Sequence, residues 1–248
     1  MSVPAGNNRP GGLQYLGGPL DVHAPHGKIE GWKDFLIHLL TISVGLLIAV
    51  GIEGCVELHR EHKLVKEARA TMREEIQHNS DSMKNTLVSI KKQRATMVKN
   101  IDTLTQIQQN PENKELQKGA SIAADYSLVG LRDTAWKTAQ TTGSLSLMPY
   151  AEAQRYSEIY SAQKDFLDQQ DKILEDEAKF LGVMAKTDFG HNDVVTKEQA
   201  TLALEQFGVW NAHLLYLDLM AQETAGADKA FLEGKTAPTE YHEEIHQK

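Results

Sequence analysis

"FLIHLLTISVGLLIAVGIEG", residues 35–54, is the most apolar stretch of a chain in which 24% of residues are charged. From Phe35 to Ile52 it carries no formal charge, and His38, Thr41 and Ser43 are its only clearly polar members. Eighteen residues of helix extend about 27 Å, close to a hydrocarbon core of roughly 30 Å. The apolar residues surround the helix rather than forming one stripe, as expected where lipid lies on every side. Trp32 and Lys33 precede it, where an indole and a lysine stem suit the headgroup layer. A secretory signal would start near the N-terminus and end in small residues before a cleavage site. This stretch starts after more than thirty residues and runs into Glu53, Cys55 and Glu57. The expectation is a single transmembrane helix over 32–55, in contact with the lipid bilayer.

The chain before it, residues 1–31, is rich in Gly, Pro and Asn over its first 22 positions and reads as a flexible segment. After it, Val56 to Gln109 contains neither proline nor glycine, so the helix has no reason to stop before Asn110-Pro111. Ile76, Ser80, Met83, Leu87, Ile90, Arg94, Met97, Ile101, Leu104 and Gln108 alternate in steps of four and three, a heptad seam with polar members. Residues 111–130 read as a connector with a short helix around 121–126. "LRDTAWKTAQTTG" then forms a helix closed by Gly143. Pro149 opens the next helix, which runs to about Lys186. Its stripe is Tyr156, Ile159, Phe166, Ile173, Phe180 and Met184, with Gln163, Gln170 and Glu177 in line. Thr196 and Gln199 form a capping-box signature for a last long helix, whose Leu202, Phe207, Trp210, Leu214, Leu217 and Leu219 are densely apolar. The fold class is all-α: a transmembrane helix continuing into a long helix, with an antiparallel bundle over 56–235 and a flexible tail at 236–248.

A net charge of −8 argues against nucleic acid, which is bound by basic faces. The single cysteine, Cys55, excludes an intrachain disulfide and any multi-cysteine metal site. His23 with His26, and His59 with His62 and Glu57, have helical or near-helical spacing, but neither set is completed by further ligands. His38 within the apolar stretch is expected to bond to a neighbouring helix; the alternative, a haem, would need a second axial ligand, for example from another subunit. No metal, cofactor or catalytic site is expected. There is no Gly-rich phosphate loop, nucleophile elbow or HExxH, and no enzymatic activity is expected.

Two sets of residues remain as candidate sites. His38, Gly45, Gly51, Glu53 and Gly54 would contact a partner helix in the membrane, the glycines permitting close approach. Arg94, Trp136, Tyr156 and Tyr160 would form a polar layer or line a ligand pocket in the bundle.

"HAPHGKIEGWKDFLIHLLTISVGLLIAVGIEGCVE", followed by "EARATMREEIQHN" and later by "WKTAQTTGSLSLMPYAEAQRYSEIYSAQ", resembles uncharacterised bacterial single-pass membrane proteins with a GILIA- or GLLIA-type span. The resemblance covers most of residues 23–170. It implies a bacterial inner-membrane protein with a short segment inside and a helical domain in the periplasm. It supplies no catalytic residues. A lysine and arginine count points the other way, with Arg9, Lys28 and Lys33 before the span and Arg60, Lys63, Lys66, Arg69 and Arg73 after it. The expected function is that of a non-catalytic accessory or scaffolding subunit of a membrane protein assembly. Other subunits, or further copies of the chain, would be held through the span and the heptad seam. The alternative is a sensory or ligand-binding bundle that signals through a partner.

Overall fold

The computed structural model describes residues 31–118, 122–123, 127–191 and 194–236. It is all helical, and no strand occurs among the described residues. The elements are α1 (Trp32–Gln109), α2 (Lys114–Lys118), α3 (Thr134–Thr141), a 3-10 turn (Ser144–Leu147), α4 (Tyr150–Thr187) and α5 (Lys197–Leu232). The short helix expected near 121–126 falls mostly on positions outside the described residues. A single-turn helix stands at Lys114–Lys118, started by the Asn113 side chain accepting from Leu116 N–H at 3.1 Å.

The chain divides into two compact units, Met1–Val56 and Glu57–Lys248. In the first, the described part is helical and exposed on all sides. Its apolar window is long enough to cross a membrane, with none of it buried inside the protein.

The second unit is a bundle of three long helices. Arg69 on α1 meets Glu152 on α4, and Asn79 meets Gln163 farther along, so α1 and α4 run in the same direction. Gln163 meets Asp228 and Thr187 O accepts from Gln199, so α5 runs antiparallel to both. The parallel pair follows from the connector, which returns along the bundle: Asn100 holds Ala123, Gln170 holds Val129 and Asn79 holds Arg132. Each of these amides accepts from the N–H and donates to the C=O of one connector residue, supplying partners that a helix or sheet would otherwise provide.

The seam of α1 turns into this bundle. Ile76, Ser80, Met83, Ile90, Met97 and Leu104 are buried, while Arg94 and Gln108 lie at its edge. Two apolar clusters result. One gathers Met83, Ile90, Met97 and Leu104 with Phe166, Phe180, Phe207, Trp210 and Leu214. The other gathers Val65, Met72 and Ile76 with Met148, Tyr156, Ile159 and Tyr160, and Phe231 packs against it. On α4 the stripe is as expected except at Glu177, which is only partly buried; its neighbour Asp176 is the buried acid. Leu202 and Leu219 are also not part of the core, Leu202 being exposed.

The ends of the long helices are locally specified. α4 stops at Asp188, which takes the left-handed conformation at φ 50°. Thr196 Oγ1 accepts from Gln199 N–H at 3.2 Å, and the Gln199 side chain accepts from Thr196 N–H at 2.9 Å, completing the capping box of α5. Thr196→Ala is therefore expected to lower stability by about 1 kcal/mol, and Thr196→Ser to restore most of it. Denaturant titration of the detergent-solubilised protein, followed by tryptophan fluorescence, measures both.

Candidate functional site

In the apolar part of α1, an added Cβ at Gly45, Gly51 or Gly54 would meet nothing within 4 Å. All three positions are open to a neighbouring helix. His38 and Glu53 are exposed as well, and Thr41 donates to the Ile37 carbonyl at 2.8 Å, a bond internal to the helix. Trp32 stacks on Phe35 with ring centroids 5.5 Å apart. The surface is thus apolar, notched by glycines and marked by one imidazole and one carboxylate.

In the bundle, the polar residues collect where the two apolar clusters meet. Between Ile76 and Met83 on α1 stands Asn79; between Tyr160 and Phe166 on α4 stands Gln163; between Ala221 and Phe231 on α5 stand Thr224 and Asp228. Asn79 donates through Nδ2 to Gln163 Oε1 at 2.9 Å and to Arg132 O at 2.7 Å, and accepts from Arg132 N–H. Gln163 Nε2 donates to Asp228 Oδ1 at 2.9 Å, and Thr224 donates to Ala162 O. Asp228 is fully buried and its Oδ2 has no partner. Burial pushes its carboxyl up to about 7, against the opposing hydrogen bond from Gln163.

One turn away, Glu75 caps α3 from α1. Its carboxylate accepts from Ala135 N–H at 3.0 and 3.1 Å, from Trp136 N–H at 3.4 Å and from Tyr160 Oη at 2.8 Å. The local N-cap, Asp133, makes no side-chain capping bond, its carboxylate pairing with Lys137 instead, so α3 depends on Glu75 to satisfy its first N–H groups. Burial, and then the Glu75 carboxylate, raise the Tyr160 phenol far above its ordinary range, which keeps it a donor. Trp136 stacks on Tyr160 at 5.1 Å, and Tyr156 packs on Phe231 at the same separation.

The structure brings Trp136, Tyr156 and Tyr160 into one cluster but does not place Arg94 with them. Arg94 lies nineteen positions beyond Glu75 on α1, about 28 Å along the helix. There its Nη1 donates to Asp218 Oδ2 at 2.6 Å, an ion pair with a buried carboxylate. The ligand pocket expected from these four residues is therefore split. Its aromatic part is packed core, and its arginine belongs to an α1–α5 pair. Farther along, His213 Nδ1 lies 2.5 Å from the buried Asp176, whose other oxygen is 3.6 Å from Lys179. An open groove of about 290 Å³ lies beside α4 and α5, lined by Arg155, Ile159, Ala162, Ala227 and Phe231 among others. Its edges carry Glu158, Glu223 and Lys235, so it presents no single charge sign.

His23 and His26 lie outside the described residues. His62 Nδ1 lies 2.7 Å from Leu58 O, and Glu57 is bound to Arg60. Among the described residues no three His, Cys, Asp or Glu side chains are grouped to hold a metal ion. Sequence reasoning missed Glu75, Asn79, Asn100, Asp176, Asp218 and Asp228. The available signal was their spacing: Asn79, Thr86, Gln93 and Asn100 repeat every seven residues beside the apolar seam, and all four are buried. No family model, curated protein or solved structure matches the chain.

Asn79→Ala is expected to cost at least about 3 kcal/mol, because it strips partners from the Arg132 N–H and C=O and from Gln163 Oε1. Lys84→Ala, which removes only an exposed pair with Asp81, is expected to leave stability unchanged. Denaturant titrations of the two variants against the wild-type chain measure the difference.

Proposed function

We propose that the chain is a membrane-anchored helical accessory or scaffolding subunit of a bacterial membrane protein assembly, without catalytic activity of its own. The observation that carries this reading is the contrast between its two units. In the bundle, the heptad seam and most of the buried polar side chains are taken up by contacts within the chain, as with Glu75, Asn79 and Gln163. In the apolar part of α1, His38, Gly45, Gly51, Glu53 and Gly54 all remain open. A helix–helix contact in lipid is made from small residues that let backbones approach and from a few polar groups that bond across the interface. The partner contact is therefore assigned to this segment and not to the seam.

The segment crosses the inner membrane once. The helical unit lies in the periplasm, as the resemblance implies, and against the lysine and arginine count. The split between Arg94 and the aromatic cluster removes the main support for a sensory pocket in the bundle.

Native membranes solubilised in mild detergent and separated by size are expected to show the chain in a defined complex. Gly51→Leu and Glu53→Leu are expected to release it while the bundle keeps its helical content and melting temperature. Migration of the wild-type chain by itself, or retention of the complex by both variants, counts against the subunit reading. Topology has its own test. Ser146 is exposed in the 3-10 turn, and Cys55 is the only native cysteine. In a Cys55→Ser background, Ser146→Cys is expected to react with a membrane-impermeant maleimide once the outer membrane is permeabilised. Reaction only after the inner membrane is broken would place the bundle in the cytoplasm.

A further inference from the structure

A fully buried aspartate is tolerated in a helical core when a cation or several donors offset its desolvation. Asp228 has neither. Among the described residues its one polar contact is the Gln163 amide, and Oδ2 meets no donor at all. The polar groups linked to it come from all three long helices of the bundle. From α1 come Asn79, through Gln163, and Glu75, through Tyr160. From α4 come Gln163 itself and Tyr160, whose phenol feels the Asp228 charge. On α5, Thr224 spends its hydroxyl on Ala162 O. Two arginines near the end of the helix are otherwise engaged. Arg73 donates to Leu232 O at 2.9 Å, while Arg155 donates to Lys235 O at 3.0 Å and lies over the Phe231 ring. None forms an ion pair with Asp228. A charged carboxylate at this position would be buried with one amide to hold it. A neutral acid fits with far less penalty.

The location gives that protonation state a consequence. Asp228 lies where the core changes from the cluster around Phe166 and Phe207 to the cluster around Tyr156, Tyr160 and Phe231. Through Gln163 and Asn79 it is connected to Arg132, and so to the start of α3. We propose that Asp228 is a pH-sensitive latch: as a neutral acid it joins the two halves of the core, and its ionisation loosens the half that contains α3 and the end of α5. Water would then reach the polar layer to solvate the carboxylate, at the expense of the Gln163 bridge.

The direction of the effect is fixed by linkage. The folded-state value is raised to about 7 from the ordinary aspartate range. The stabilising contribution is therefore whole in acid, declines once the unfolded chain would release its proton, and is gone above the folded value. The latch is closed in mildly acidic surroundings and open in alkaline ones.

Hydrogen exchange of the full chain in detergent micelles, corrected for the intrinsic pH dependence of exchange, tests this. Between about pH 5.5 and about pH 8.5, protection at 132–141 and 224–232 is expected to fall roughly tenfold or more, while protection at 200–214 changes little. Asp228→Asn, which keeps the shape and cannot ionise, is expected to remove that fall. Unchanged protection in the wild-type chain, or an equal fall in Asp228→Asn, overturns the proposal. A second measurement needs no variant. Infrared spectra of the chain labelled with ¹³C at aspartate carboxyls are expected to show a protonated-acid band that bleaches around neutral pH. Its absence in the mildly acidic sample also overturns the latch.

Discussion

The bundle is organised around the hydrogen-bonded row that runs from Arg132 through Asn79 and Gln163 to Asp228. It joins α1, α4 and α5 to the connector at one level, and it stands between two apolar clusters that would otherwise form one continuous core. Apolar contacts tolerate a shift of one helix along another by a turn, because leucine-like side chains find similar holes at each step. A buried amide does not tolerate it, since each displaced donor or acceptor loses its partner without gaining water. The row therefore fixes the axial positions of three helices at once. The three amides that hold Ala123, Val129 and Arg132 do the same for the connector, a segment that supplies few backbone partners of its own.

The path of the connector explains an arrangement that helix count alone leaves open. Three helices joined by tight turns alternate in direction. Here α1 and α4 run the same way, which requires a return of the chain along the bundle, and a return without helix or sheet leaves its N–H and C=O groups to be satisfied by side chains. Asn and Gln suit this because one amide both donates and accepts. Glu75 performs the related service for α3, an eight-residue helix too short to be stable by itself.

Much of this fold was legible in the sequence, for reasons that can be named. The absence of Pro and Gly from Val56 to Gln109, the Asn110-Pro111 stop, the Thr196–Gln199 box and Gly143 are local signals, and each has its expected structural counterpart. The apolar stripes were legible because burial repeats with the helical period. The buried polar residues were not, because their burial depends on partners far away in sequence. Asn79 is 84 positions from Gln163, and Arg94 is 124 from Asp218. Glu177 and Asp176 differ by one position, about 100° around the helix, which is enough to exchange a half-exposed acid for a buried one. Arg94 and Trp136 looked equivalent as candidates because spacing records which face a residue occupies and not how far along the bundle it lies.

A buried polar group is ordinarily taken as a functional clue, yet in this bundle most such groups are explained by the architecture. Glu75 is a cap, Asn79 and Asn100 are connector clamps, Asp218 is the counter-charge for Arg94, and Asp176 is the hydrogen-bond partner of His213. Apart from the unpartnered Gln93 Oε1, Trp210 Nε1 and Asp218 Oδ1, two features remain that the fold itself does not require. One is the set of open polar and glycine positions in the apolar helix, which in lipid can be satisfied only by another helix or by reaching the interface. The other is Asp228, whose second oxygen serves no structural purpose and whose replacement by an asparagine would be easier to bury. A carboxyl differs from an amide of the same shape in one property, the ability to change charge, and that property is the one the proposed latch uses.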